Sequence, residues 1–305
     1  MTDFSKPVDR IVVDVPPEHA GQRIDSYLPR RFNWRSRAYF LGLLSAGTVT
    51  VNDQPIKKAY RVRAGDRIAI ELPESYRVDF DYEAIPLHLL FEDETLVAVN
   101  KPGNLAVQPT GRYIRENLLN RLRHHYRQHG DESCDPCIVH RLDRETSGVV
   151  VFAKSPVHAR ALAEQFAQRV TQKVYLAIVH GHPPPAGSIR QPLLATSDRH
   201  VVIDSAGKPA LTHFRVRSHH GAFSLVELHL MTGRQHQLRV HLASIGHPIV
   251  SDEFYGRPGD RDHAAFPERH MLHAASLRLN GTQGATLHLT APTPADMVHF
   301  LRLQP

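Results

Sequence analysis

The residues best suited to chemistry lie in the middle of the chain, in the segment HRLDRETSG at 140–148. Asp143 is a short carboxylate between Arg141 and Arg144, and the polar turn after it leads into the apolar run VVVF. Carboxylates on polar loops rarely belong to a core. Because the two arginines would attract an anionic ligand, the segment predicts a carboxylate that acts as nucleophile or base beside that ligand.

A second segment, QKVYLAIV at 172–179, predicts a strand on which both faces are apolar, as is typical of a buried strand. Tyr175 has small neighbours on its face, so its ring could stack on a nucleic-acid base. An ordinary place in the core is the alternative for Tyr175, and the residues by themselves favour that alternative.

A third segment, MTGRQHQLRVHL at 231–242, follows a predicted strand and has apolar residues at helical spacing, with Gly246 after it. The predicted helix directs Arg239 to the flank of the apolar stripe, where a guanidinium needs a carboxylate partner. We expect Asp143 to be that partner, because pairing would keep Asp143 ionised and fix its side-chain conformation. A surface helix with scattered charges is the alternative.

Positive charge is concentrated near the N-terminus. Between His19 and Arg63 only Asp25 and Asp53 are acidic, whereas nine residues are basic: Arg23, Arg30, Arg31, Arg35, Arg37, Lys57, Lys58, Arg61 and Arg63. A basic excess confined to one segment favours a polyanionic partner, most simply nucleic acid. A solvated basic face is the alternative.

The composition sets limits on the class of protein. The chain has 305 residues, of which 41% are hydrophobic and 22% charged, and its net charge is +6. These values are typical of a globular protein with a real core. No apolar run is long enough to cross a bilayer, and the N-terminus lacks the apolar stretch of a signal peptide. Since two cysteines cannot form a disulfide framework, we expect a cytoplasmic protein with no membrane partner.

The elements that must position these residues fall into two parts. Residues 21–72 predict two short helices and a small sheet, and the polar, proline-bounded stretch 73–86 (PESYRVDFDYEAIP) predicts a domain boundary. We therefore expect a small basic RNA-binding domain at 1–76, a linker at 77–86 and a catalytic domain at 87–305.

Strands outnumber helices in the large domain. Predicted strands include 96–99, 149–152, 174–179 and 225–230, and Ser155-Pro156 predicts the start of a helix. Since the strands do not alternate regularly with helices, the sequence predicts an α+β fold. We expect a mixed or antiparallel sheet with flanking helices, preceded by a small N-terminal α/β RNA-binding domain.

Four strings together resemble the RluA-like pseudouridine synthases, from about Gly21 to the C-terminus. HRLDRETSG resembles the active-site loop of that family, KVYLAIVHG its tyrosine motif, and GRQHQLRVHLASIGHPIVSDEFYG its arginine motif. VNKPGNLAVQP resembles the leading motif, with Gln108 in place of the usual histidine. The stretch SRAYFLGLLSAGTVTVNDQPIKKAYRVRAGDRIAI resembles the small domain that is named after a ribosomal protein and often precedes RNA-modifying enzymes.

The resemblance implies an isomerase that converts uridine to pseudouridine in RNA, with no cofactor and no metal. Asp143 would be the catalytic carboxylate, which either attacks a carbon or removes a sugar proton. Arg239 would pair with it, and Tyr175 would stack on the base. The uridine would be flipped out of its helix, and Arg141, or else Arg144, would fill the vacated space or hold phosphate.

The implied partner is structured RNA, with ribosomal RNA expected first and transfer RNA second. In the N-terminal domain, the residues expected to bind RNA are Arg35, Arg37, Lys57 and Lys58. The oligomeric state does not follow from the sequence.

Three other functions are considered. A zinc site could use Cys134 and Cys137, but these supply two of four ligands, and no histidine has the glutamate two places later that a zinc deaminase needs. A hydrolase with a carboxylate pair would need an acid on a separate element, whereas Glu145 shares the loop of Asp143. A non-catalytic RNA-binding protein would have lost the three core residues, which are present here.

Overall fold

The computed structural model describes residues 2–32, 34–111, 113–196, 200–281 and 284–304. The chain forms two compact units. The first, here the N-terminal unit, comprises Met1–Ile85 and Gln108–Glu132, and the second, here the sheet unit, comprises Pro86–Val107 and Ser133–Pro305. Residues 108–132, which the sequence assigned to the large domain, thus pack within the N-terminal unit. The domain limits predicted from the sequence stay a proposal.

The N-terminal unit contains a four-stranded antiparallel sheet in the order β1-β4-β2-β3. Ser36 begins the second helix, where its hydroxyl accepts a hydrogen bond from the amide of Tyr39. The first strand and the third helix were not predicted from the sequence. The elements are β1 (Arg10–Asp14), α1 (Ile24–Arg31), α2 (Arg37–Ser45), β2 (Val49–Val51), β3 (Gln54–Pro55), β4 (Arg67–Glu71) and α3 (Leu118–Gln128).

The sheet unit has many more strands than helices, which confirms the predicted α+β class. Its strands are β5 (Leu89–Glu92), β6 (Leu96–Lys101), β7 (Cys137–Ile138), β8 (Ser147–Ala153), β9 (Gln172–His180), β10 (Ala186–Arg190), β11 (Leu193–Ala195), β12 (Val201–Ile203), β13 (Leu211–His220), β14 (Phe223–Leu230), β15 (Leu272–Asn280) and β16 (Thr286–Thr290). Its helices are α4 (Pro156–Ala167), α5 (Gln237–Ser244) and α6 (Ala295–Arg302).

The large sheet follows the order β10-β13-β14-β9-β15-β8-β6-β5, with β16 and β7 paired to β15 and β8 off this path. Strands β8 and β15 pair in parallel, whereas the other neighbours along the path are antiparallel. The sheet is therefore mixed, as predicted. Helix α4 begins at the predicted position, where the Ser155 hydroxyl accepts from the His158 amide.

The register of three central strands brings two predicted site segments together. Ala274 on β15 pairs with Tyr175 on β9 and with Gly148 on β8. Gly148 has φ +112°, and a β-carbon there would lie 2.2 Å from the carbonyl oxygen of Ala274. Only glycine allows the two backbones to come this close. The end of the Asp143 loop is thereby fixed beside Tyr175.

No helix in the described part of the chain is long and apolar enough to cross a membrane.

Candidate active site

Asp143, Tyr175 and Arg239, which the sequence predicted as the core of the site, line one cleft of about 510 Å³ in the sheet unit. The loop before β8 contributes Asp143, strand β9 contributes Tyr175, and helix α5 contributes Arg239. The cleft thus forms where three segments far apart in the sequence meet. Its wall also contains His140, Arg141, Phe166, Arg169, Lys173, Arg234 and His236.

Asp143 is held at one oxygen. Its Oδ2 accepts a hydrogen bond from Nη1 of Arg239 at 3.1 Å, so the contact predicted from the sequence is present. Its Oδ1 has no hydrogen-bond donor among the described residues, and the side chain is 32% exposed. The amide of Thr146 donates to the backbone carbonyl of Asp143 at 3.1 Å, which closes the turn. One carboxylate oxygen is therefore oriented by Arg239 and the other is available to a ligand.

Arg239 is in turn fixed by a second carboxylate. Its Nε and Nη2 donate to the two oxygens of Asp252 at 2.6 and 2.7 Å, and its side chain is only 4% exposed. A bidentate pair of this kind sets the plane of the guanidinium. Burial alone would lower the pKa of Arg239, but the hydrogen bonds and charge of Asp252 raise it above its ordinary value. Arg239 therefore stays charged toward Asp143.

Asp252 was not predicted from the sequence, although it is the first of two acids in the trailing SDEFYG string. Its side chain has no exposure, and its Oδ1 also accepts from the amides of Phe254 and Tyr255 at 3.0 and 3.1 Å. Burial would raise the pKa of Asp252, but the hydrogen bonds and charge of Arg239 hold it below its ordinary value. Asp252 is thus an ionised buried counter-ion.

Tyr175 is 9% exposed and lines the cleft. Burial, and next the charge of Asp143, raise the pKa of its phenol above the ordinary value. The phenol therefore keeps its proton and cannot serve as a base at neutral pH. What Tyr175 offers the cleft is its ring.

His236 is a further group near Asp143 that the sequence analysis missed. Its Nε2 lies 3.9 Å from Oδ2 of Asp143, and its Nδ1 lies 2.8 Å from the hydroxyl of Tyr255. It precedes α5 with φ +52°, a left-handed conformation that is uncommon for a residue other than glycine. Burial lowers the pKa of His236, which favours a neutral ring. Its signal in the sequence was its place between Arg234 and Arg239.

Two buried charged residues, Glu145 and Lys101, stabilise the Asp143 loop. Glu145 accepts from Arg261 at 2.5 Å, from the backbone amide of His270 at 3.0 Å, and from Arg144 at 3.1 Å. Fully buried Lys101 donates from Nζ to the carbonyl of Arg144 at 2.9 Å and to two further carbonyls. Glu145 is therefore part of the loop's scaffold, not a second acid facing a substrate.

The two arginines beside Asp143 differ in their surroundings. Arg141 is exposed and lines the cleft, and no carboxylate partner is found for it in the described ranges. Arg144 is engaged with Glu145. Arg141 is thus the one placed to meet a ligand at the mouth of the cleft.

The four basic residues predicted in the N-terminal unit also separate into two kinds. Arg35 donates to the Tyr76 hydroxyl and lies over the Tyr39 ring, 4.6 Å from its centroid. Arg37 contacts the buried carboxylate of Asp25 at 2.6 Å.

Lys57 and Lys58, by contrast, are exposed, and neither has a salt bridge within the part of the chain that is described. Of the four, the two lysines have their charge free for a partner. The RNA-binding role of all four residues stays a prediction.

A metal centre finds no support in the geometry. Within the described ranges, His, Cys, Asp and Glu side chains form no group of three that could hold a metal ion. Cys134 and Cys137 are both in the thiol form.

Known proteins resemble both parts of the chain. The family model described as RNA pseudouridylate synthase matches residues 95–244, and the S4 domain model matches residues 22–68. Ribosomal large subunit pseudouridine synthase D of Salmonella typhimurium is 33% identical over 96% of this chain and 93% of its own length. The protein of the same name from Zymomonas mobilis is 35% identical, over 93% of this chain and 94% of its own length.

Solved structures show the same similarity. Human RNA Pseudouridylate Synthase Domain Containing 4 is 28% identical with a TM-score of 0.60, over 72% of this chain and 94% of that one. Human RNA Pseudouridylate Synthase Domain Containing 1 is 28% identical with a TM-score of 0.59, over 69% and 84%. These matches agree with the family resemblance seen in the motifs.

Proposed function

The chain belongs to the RNA pseudouridylate synthase family, and from this we propose that it isomerises uridines of ribosomal large-subunit RNA, with Asp143 as the catalytic carboxylate. The observation that carries the proposal is the series of ion pairs that joins Asp252 to Arg239 and Arg239 to Asp143. Asp252 fixes Arg239, and Arg239 holds Oδ2 of Asp143, while Oδ1 has no hydrogen-bond donor among the described residues. A carboxylate that is oriented by a guanidinium and has one oxygen without a partner suits a nucleophile or a general base.

The reaction breaks the glycosidic bond, turns the uracil and joins carbon in place of nitrogen to the sugar. It changes no oxidation state and imports no group, so side chains can carry it without a cofactor. The free Oδ1 of Asp143 either attacks a carbon or accepts a sugar proton. The Tyr175 phenol keeps its proton and is therefore uncharged. Its ring stacks on the uracil and keeps the base close to the carboxylate while the base turns.

A uridine within an RNA helix cannot reach Asp143 in the cleft, so the nucleotide must be flipped out, at a cost of a few kcal/mol. Arg141 is exposed at the cleft and unpaired in the described ranges. We propose that Arg141 fills the space that the flipped nucleotide leaves in the RNA helix, or binds an adjacent phosphate. Arg144, which is bound to Glu145, is the weaker candidate.

RNA binding outside the cleft is assigned to the N-terminal domain at 1–76, joined by the 77–86 linker to the catalytic domain at 87–305. The S4 match and the exposed charges of Lys57 and Lys58 support this assignment. Ribosomal RNA is the proposed substrate because the matched relatives are named for the ribosomal large subunit. Transfer RNA is the second candidate, and a cytoplasmic location stays a prediction.

The test is pseudouridine mapping of total ribosomal and transfer RNA from cells that lack the protein. The cells are complemented with the wild type or with Asp143→Asn. We expect one or more sites in large-subunit RNA to disappear and to return only with the wild type.

If a site is lost from transfer RNA alone, transfer RNA takes the place of ribosomal RNA as the substrate. If Asp143→Asn restores the sites, the role of Asp143 is refuted. An unchanged map, with purified protein that converts no uridine in protein-free ribosomal RNA, would refute the proposed reaction.

A further inference from the structure

Lys173 is a cation of the cleft that the mechanism above does not use. Lys173 lies on β9 two residues before Tyr175, so both side chains emerge on the same face of the strand, and both line the cleft. Its Nζ lies 4.9 Å from the centroid of the Phe166 ring and near the backbone of Gly233, where a β-carbon would be 4.0 Å away. Lys173 therefore occupies the wall between α4 and the turn that precedes α5.

The surroundings of Lys173 lack a counter-charge. Within the described ranges its ammonium has no carboxylate partner and no hydrogen-bond acceptor, although the residue is partly buried. Burial lowers the pKa of Lys173, and no neighbouring acid offsets this. The Phe166 ring is its contact, and it carries no formal negative charge. A partly desolvated cation that lacks a counter-ion is costly, so this is a place where an anion is stabilised.

Lys101 shows what a purely structural lysine looks like in the same unit. Its Nζ is completely buried and donates to the carbonyls of Pro102, Leu105 and Arg144 at 2.8 to 2.9 Å. All three ammonium protons thus have acceptors within the protein. Lys173 has none of these acceptors and opens into the cleft, so a structural role does not account for its charge.

We propose that Lys173 binds the phosphodiester next to the flipped uridine, so that the nucleotide is held at its base by Tyr175 and at its backbone by Lys173. The inference rests on the proposed function. Residues two apart on a strand are separated by about 7 Å, a span that a single nucleotide covers from base to phosphate. Phosphate also suits the site because it accepts several hydrogen bonds from one ammonium group. Lys173 is thus a substrate-positioning residue.

The test removes the charge of Lys173 and the charge of one RNA phosphate, first separately and then together. The RNA is a synthetic fragment around a uridine that the wild type converts. It is made with ordinary phosphates or with one uncharged methylphosphonate, either 5′ or 3′ of the target, and with 2′-deoxy sugars at both linkages in every version. Binding is measured in the Asp143→Asn background, with Lys173 or with Lys173→Gln.

We expect Lys173→Gln to weaken binding of the ordinary RNA by about tenfold, the size of a charge-assisted hydrogen bond. One of the two methylphosphonates should weaken binding to the Lys173 protein by a similar factor and have almost no further effect on Lys173→Gln. If the two losses multiply, or if neither methylphosphonate matters, the proposal is wrong.

Two controls exclude other causes. Lys154→Gln removes the same charge from the same unit, but Lys154 lies outside the cleft and contacts Glu92 at 2.8 Å. It should leave the methylphosphonate effect unchanged. Lys173→Arg should keep most of the affinity, and thermal unfolding shows whether each variant is folded. With natural RNA, Lys173→Gln should raise KM more than it lowers kcat.

The methylphosphonate effect on the Lys173 protein does not depend on any variant of Lys173. Its absence would therefore overturn the inference even if Lys173→Gln failed to fold. Failure of the proposed function is seen separately, as absence of conversion by the wild type.

Discussion

The sheet unit buries its central positive charge, whereas the N-terminal unit exposes much of its own. Arg239 is 4% exposed and contacts two carboxylates, while Lys57 and Lys58 are exposed and have no salt bridge in the described ranges. Buried pairs depend on geometry and are screened little by salt, whereas exposed charges act over about 10 Å and are screened strongly. The difference agrees with the roles proposed here, in which the cleft orients reacting groups and the N-terminal unit attracts RNA.

Asp143→Asn tests the cleft of the sheet unit, and it should have the largest effect of the variants considered. The amide keeps the size of the side chain but cannot act as a base or nucleophile, so turnover should fall at least about a thousandfold. RNA affinity should stay within about threefold of the wild type, because Asp143 is not among the groups proposed to bind phosphate. Single-turnover assays and equilibrium binding measure the two effects. A folded variant that loses binding and turnover equally would contradict the catalytic assignment.

Asp252→Asn tests whether the guanidinium needs its buried counter-ion. Removal of one partner from a buried pair costs about 3 kcal/mol of unfolding free energy, because the remaining charge is desolvated and unpaired. We also expect kcat to fall, since Arg239 no longer holds a fixed orientation toward Asp143.

The matched control for this change is Glu253→Gln, because Glu253 is the next residue and is exposed. It should change the unfolding free energy by less than about 0.5 kcal/mol. Urea unfolding and single-turnover rates check both variants, and equal effects would contradict the role of the buried pair.

The double variant Lys57→Gln with Lys58→Gln tests the exposed side. RNA affinity should fall, and the slope of log affinity against log salt should become shallower by about one for each phosphate that the protein no longer neutralises. At saturating RNA, kcat should not change. Lys208→Gln, which removes one exposed charge from the sheet unit, is the control. An unchanged salt slope would show that these two lysines do not bind RNA.

The smallest expected effect is in the response to acid, and it comes from a half-buried histidine in the wall of the cleft. Nε2 of His140 accepts a hydrogen bond from the amide of Val151, and burial, with the charge of Lys173, lowers the pKa of His140 to about 3. The unfolded chain binds a proton near pH 6.5, so this contribution to stability is complete above that pH and declines toward pH 3.

In urea unfolding between pH 6.5 and 4.5, the wild type should lose roughly 1 kcal/mol more per pH unit than His140→Gln. Parallel pH profiles for the two proteins would contradict the assignment.

The sequence predicted the parts of the site that carry their own chemical signal. Asp143 was evident because a carboxylate between two arginines precedes an apolar strand, and Arg239 because a guanidinium flanks an apolar helical stripe. The α+β class followed from strand runs that are not interrupted regularly by helices, and the family followed from four motifs in order.

The partners of these residues were less visible. Asp252 lies 13 residues beyond Arg239, and only the path of the chain after α5 brings the two together. Lys101 occurs in a turn-like NKPG string, which suggests exposure, whereas the structure buries it under the Asp143 loop. Strand β1, residues 10–14, depends on its pairing with β4, which no local pattern reveals.

The parallel pairing of β8 with β15 has a consequence for how activity arises during synthesis. His273 pairs with Ser147, so the loop of Asp143 is aligned by a strand made more than a hundred residues later. Contacts of such long sequence separation form late, because the intervening chain must first be closed into a loop. A nascent chain could therefore complete the N-terminal unit, whose last residue is Glu132, well before its cleft can react. The proposed RNA binding would then mature first and the proposed catalysis last.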